Sequence, residues 1–158
     1  MRFLILATLA VTSACASGSV SHDDAVTMHN VLRQVIIDAD AAYAPVLAEA
    51  LAKADAVNPG DDLNYESAVA PWKAVTAALT AAKIVEQAMR LSLVQWTAAA
   101  AGSGVEPETF ACAAGAMTRL ANAFGQLPAG SALYSAAFVV SAQLRSMADG
   151  STCHVGAK

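Results

Sequence analysis

Apolar residues recur at three- and four-residue steps along most of this chain, and an α-helix gathers such steps into one stripe. The first run is Leu32, Val35/Ile36, Ala39, Tyr43, Val46/Leu47, Ala50/Leu51, Ala54 and Val57, predicting a helix from about Ser21 to Val57. Ser21 followed by Asp24 resembles a capping box with a shorter acid. Asp23 and Asp24 place anions at the positive end of the helix dipole. Pro45 lies inside this run, so a kink or break is expected near Ala42–Pro45.

Asn58-Pro59-Gly60-Asp61-Asp62 reads as a turn. A second stripe follows from about Asn64 to Ala101: Tyr65, Ala68/Val69, Trp72, Val75, Leu79, Ala82, Val85, Met89, Leu93 and Trp96. Pro71 suggests that the main helix starts there, after a separate helical turn over 63–69. Gly102-Ser103-Gly104 ends it. A third helix begins near Glu106-Pro107-Glu108, with Pro in its first turn, and carries Phe110, Ala113/Ala114, Met117, Leu120/Ala121 and Phe124. Gln126 to Gly130 is a loop. Ser131 is placed to cap a fourth helix bearing Leu133, Ala137, Val140, Leu144 and Met147, which Gly150 stops.

No strand pattern competes with these segments. Four amphipathic helices on short connections predict an all-α, up-down four-helix bundle. The first two helices are about 35 residues and the last two about 20. At 1.5 Å per residue the first hairpin outreaches the second by roughly 20 Å, unless Pro45 and Pro71 fold it back. Hydrophobic residues are 56% of the chain, yet aromatics are 6%. The excess is alanine, which favours helix and close packing but stabilises little per buried residue. Net charge is −4, without a Lys/Arg cluster, which argues against nucleic acid and against a polybasic membrane patch.

The N-terminus has a signal-peptide layout. Arg2 precedes an apolar run from Phe3 to Ala14, followed by small residues. A run of about twelve residues is too short to span a bilayer. Residues 1–16 are therefore expected to be a leader, 17–21 a flexible tether and 22–158 the helical domain. Ala14-Cys15-Ala16 fits cleavage after Ala16 and a soluble periplasmic product. Alternatively, Val11-Thr12-Ser13-Ala14-Cys15 resembles a bacterial lipoprotein lipobox through Ser13, Ala14 and Cys15, with Thr12 where the pattern has a branched aliphatic residue. The resemblance covers only the leader and implies lipidation of Cys15. With Ala16 rather than Asp next, it further implies the outer membrane.

Export changes what the other cysteines mean, because disulfides persist in the periplasm. Cys112 lies early in helix 3 and Cys153 just past helix 4. An antiparallel hairpin brings those two ends level, so a Cys112–Cys153 bridge is expected. In the chain-entropy model it stabilises by roughly 3–4 kcal/mol.

Catalytic and metal patterns are weak. Cys153-His154 has the end of a Cys-x-x-Cys-His haem signature, but Gly150 occupies the first cysteine position. His22 and His29 fall on roughly one helix face, yet too few ligands accompany them for zinc. They read as solvated histidines near a terminus. Asp61-Asp62 with Asn58, Asn64 and Glu66 lacks the spacing and glycine of a calcium loop. No Gly-x-Ser-x-Gly, Ser-x-x-Lys, P-loop or dinucleotide pattern occurs. Glu86 sits beside the second stripe and is expected to pair with Lys83 or Arg90. Trp72, Trp96 and Tyr65 read as core. The expectation is a non-enzymatic cell-envelope bundle without cofactor or metal, acting on an envelope protein partner or as an accessory element. The alternative is a periplasmic small-ligand binder with an apolar cavity near Trp72, Met89, Met117 or Phe124.

Overall fold

The apolar stripes become four α-helices: α1 (His22–Val57), α2 (Asp62–Ala98), α3 (Pro107–Gly125) and α4 (Ser131–Met147). The structure is a computed structural model, describing residues 20–57, 62–98, 105–127 and 130–154. The leader, Cys15 and the turn residues 58–61 lie outside the described residues.

Each helix packs on two neighbours, α1 on α2 and α4, and α3 on α2 and α4. Among the described residues the diagonal pairs do not approach backbone to backbone, so the four helices enclose one core. Both hairpins are antiparallel. Along α1, His22 meets Trp96, His29 meets Glu86 and Tyr43 meets Thr76. Along α3, Cys112 meets Cys153, Thr118 meets Ser141, and Gly125 lies beside Tyr134.

The core follows the stripes. Leu32, Val75, Met89, Phe110, Met117, Leu120 and Leu144 are the largest fully buried side chains. Burying a side chain of this size is worth roughly 1.5–3 kcal/mol. Ala25, Ala39, Ala82, Ala113, Ala114, Ala116 and Ala121 fill the contacts between them and let the helices approach closely.

The helix ends show local chemistry at work. Ser21 Oγ accepts the Asp24 N–H at 3.1 Å and donates to the Asp24 carboxylate at 2.6 Å, a cap in which both groups take part. Glu106 precedes α3 in extended backbone, Pro107 follows it, and Glu108 sits in the first turn. After α4, Asp149 and Gly150 both have positive φ, turning the chain back toward α3. Gly130 begins α4 where a Cβ would meet the Phe124 carbonyl oxygen at 1.8 Å, so glycine is required there.

Two expectations are corrected. Pro71 lies inside α2, which runs unbroken from Asp62, instead of opening the main helix. A proline removes one hydrogen bond, and the packing of Trp72, Val75 and Leu79 on the core just after it absorbs that loss. Of the kink or break expected near Pro45, α1 shows no break, being helical through His22–Val57. Gly130, rather than Ser131, is the N-cap of α4, without a side-chain capping bond.

The first hairpin does outreach the second. Among the described residues the last buried one of α1 is Tyr43, level with Trp72, and beyond it Val46, Glu49 and Lys53 share a groove with Phe124, Leu127 and Leu133 from the end of α3 and start of α4. α1 and α2 have 36 and 37 residues against 19 and 17 for α3 and α4, so the first pair is longer by roughly 27 Å of helix.

Candidate functional site

The long hairpin buries a polar contact that the spacing did not reveal. His29 is 7% exposed, and its Nε2 lies 2.8 Å from Glu86 Oε1. This corrects both residues, since His29 is not solvated and Glu86 pairs with neither Lys83 nor Arg90. Lys83 instead reaches across to Asp40 at 2.8 Å. The partners are set by the register between α1 and α2, which no single-helix pattern encodes. His22 does not join His29; its ring meets Trp96 edge-on, with centroids 5.1 Å apart. Among the described residues, no group of three or more His, Cys, Asp or Glu is placed to hold a metal ion.

Farther along, the Tyr43 hydroxyl contacts both the Trp72 carbonyl at 2.9 Å and Thr76 Oγ1. Trp72 and Trp96 are half-buried against the core. The side chain of Tyr65 lies outside the described residues, as does the Asp61 region.

The short hairpin carries the expected cross-link. Cys112 and Cys153 form a disulfide, with Cα atoms 4.6 Å apart. The segment beyond it is held by the His154 N–H, which donates to Glu108 Oε1 at 3.0 Å. Between the helices, Ser141 Oγ donates to the Ala114 carbonyl at 3.0 Å and lies 2.7 Å from Thr118 Oγ1, which accepts from Arg145 at 2.9 Å. These hydroxyls sit in a satisfied network without a histidine or carboxylate to serve as base. Such a network fixes register; it does not activate a nucleophile.

Two grooves flank Trp72 where the short hairpin ends. One, of about 350 Å³, is lined by Tyr43, Val46, Trp72, Phe124, Leu127 and Leu133, with Glu49 and Lys53 at its rim. The other, of about 440 Å³, is lined by Leu47, Leu51, Lys73 and Thr76 among others. Glu49 and Lys53 pair at 2.7 Å, and this contact holds the exposed Glu49 carboxyl below its ordinary value.

The remaining candidate surfaces are outer helix faces that the sequence reading passed over. On α2, Ile84, Leu91 and Val94 are exposed, with Ile84 at 63%. On α4, Tyr134 stacks on Phe138 with ring centroids 5.9 Å apart, and Phe138 and Val139 are each 54% exposed. The outward residues of α4 from Ala132 to Ala142 carry no charge. A second apolar periodicity, offset from the core stripe, was the available signal.

Among the described residues no helix is long and apolar enough to cross a membrane. Comparisons with protein-family models, curated proteins and solved structures give no match.

Proposed function

We propose that this chain is a non-enzymatic, exported helical bundle that works by protein–protein contact in the cell envelope, through the outer face of α4. The observation that carries the reading is the uncharged, solvent-facing surface of Tyr134, Phe138 and Val139 over a closed core. Large apolar side chains grouped on an exposed face mark interaction sites. Of the residues named for the small-ligand alternative, Met89 and Met117 are buried in the core, while Trp72 and Phe124 line the groove beside Tyr43. Export is supported by the leader layout and by the disulfide, which persists in oxidising compartments. The lipobox-like stretch makes Cys15 the anchor of an outer-membrane lipoprotein. Residue 20 then leads into the bundle at the end that carries the disulfide, and the long hairpin projects away from the anchor.

The test combines localisation with contact. Intact mass from native membrane and soluble fractions is expected to begin at lipidated Cys15 in the membrane fraction. A photo-crosslinker at Phe138 is expected to trap a discrete envelope protein, and Phe138→Glu to abolish that native complex while leaving the melting temperature unchanged. An unprocessed cytoplasmic chain, or a crosslinker at Phe138 that traps nothing, contradicts the reading.

A further inference from the structure

The two grooves beside Trp72 differ in what encloses them. The larger is lined from α1 and α2 alone. The smaller, of about 350 Å³, draws its walls from all four helices: Tyr43 and Val46 of α1, Trp72 of α2, Phe124 at the end of α3, and Leu133 at the start of α4, with Leu127 between those two. Two further lining residues add little or no bulk. Ala42 offers only a methyl group, and Gly130 has no side chain. Gly130 cannot acquire one, because a Cβ there would meet the Phe124 carbonyl oxygen. The Tyr43 hydroxyl is engaged by the Trp72 carbonyl and Thr76, so Tyr43 shows the groove its ring without a free hydroxyl. Charge appears only at the rim. Glu49 and Lys53 are exposed there and pair at 2.7 Å, so the two charges cancel.

We propose that this groove binds a neutral, single-chain amphiphile: an alkyl or acyl chain that carries a hydroxylated head group. The chain lies against the aromatic and aliphatic walls, and the head sits at the Glu49–Lys53 rim. Apolar walls with a few polar groups at one edge, and a volume inside about 300–1,000 Å³, are the usual make-up of a small-molecule site. The site is separate from the outer face of α4 and depends neither on that face nor on export.

Size and charge select the ligand. At roughly 30 Å³ per chain atom, the volume of a water molecule in the liquid, the groove holds about a dozen chain atoms. A helix about 10 Å across would fill the same volume in less than one turn, so a partner's helix is too large. The paired rim selects the head. A carboxylate would meet Glu49 and an ammonium would meet Lys53, each as a like charge. Hydroxyls can donate to Glu49 and accept from Lys53 at once.

Isothermal titration calorimetry of the full chain tests this with three ten-carbon probes, each below its micelle concentration: monodecanoylglycerol, decanoate and decyltrimethylammonium. The expected result is one monodecanoylglycerol per chain with a dissociation constant on the order of 100 µM. The two charged probes are expected to bind at least about fivefold more weakly. Ala42→Trp fills the groove from an exposed position and is expected to weaken binding at least about tenfold, with an unchanged circular dichroism spectrum. Val46→Asp, also at an exposed position, is expected to do the same by charging the wall. Glu49→Gln leaves Lys53 uncompensated and is expected to raise decanoate to the level of the neutral probe. Phe138→Glu is expected to leave binding unchanged. No saturable binding of monodecanoylglycerol, uptake only above its micelle concentration, or binding indifferent to both Ala42→Trp and Val46→Asp overturns the proposal. So does decanoate bound as tightly as the neutral probe by the unsubstituted chain. Self-association of the free chain that Val46→Asp abolishes also overturns it, because a second copy then occupies the groove.

Discussion

The two hairpins are held together by different means. The α3–α4 hairpin has few charges, and α4 carries a single one, Arg145. It relies on dense burial around Phe110, Met117, Leu120 and Leu144, on the Ser141–Thr118 hydroxyl network, and on the Cys112–Cys153 bond across its ends. The α1–α2 hairpin is about twice as long and has no disulfide. Its helices are registered by spaced polar contacts, His29 with Glu86, Asp40 with Lys83, and Tyr43 with Thr76. A short pair must concentrate its stabilisation. A long pair spreads it thinly and needs specific contacts to stop one helix sliding along the other, because alanine-rich stripes look alike at several registers.

The contrast can be broken first at its densest point. Phe110→Ala is expected to cost about 3–5 kcal/mol in urea unfolding, whereas Leu51→Ala in the overhang past Tyr43 costs under about 1 kcal/mol. Equal losses would mean that the overhang is part of the core. Next, replacing Cys112 and Cys153 together by serine removes roughly 3–4 kcal/mol, read from denaturation with and without reductant. The intact protein is expected to gain about two mass units on reduction. Third, His29→Ala strands the Glu86 carboxylate in a half-buried site and is expected to cost about 2–3 kcal/mol. A double-mutant cycle with Glu86→Ala should return a coupling of about 1 kcal/mol or more, and a coupling near zero would remove this contact as the register device. The smallest effect is expected at Glu49. Lys53 lowers its carboxyl below 4.5, so any stabilisation is present above that value and disappears as pH falls through the lowered one. Both side chains are largely exposed, so Glu49→Gln should leave the unfolding midpoint unchanged.

What was legible in the sequence follows from which interactions are local. The four helical segments, the Ser21–Asp24 cap and the Pro107 start depend on local spacing, and they were readable. The disulfide was readable because hairpin topology alone brings Cys112 and Cys153 level. The unequal hairpin lengths follow from counting residues between breaks. His29 with Glu86 was not readable, since it depends on how far α1 slides along α2. Pro71 misled for a related reason. Its local cost is real, but the packing of Trp72, Val75 and Leu79 on the core just after it outweighs that cost. The exposed faces of α2 and α4 were obscured because the stronger core stripe on each helix drew the assignment.

Hydrogen exchange at about 1 µM, resolved along the chain by mass spectrometry, tests the central claim that four-helix cover ends near Tyr43. The account predicts strong protection for 25–43, 75–96 and 110–124, and exchange at least about a hundredfold faster for 46–57 and 62–70. Uniform protection along the whole of α1 and α2 at that concentration would contradict it, because the overhang would then be covered by the chain itself.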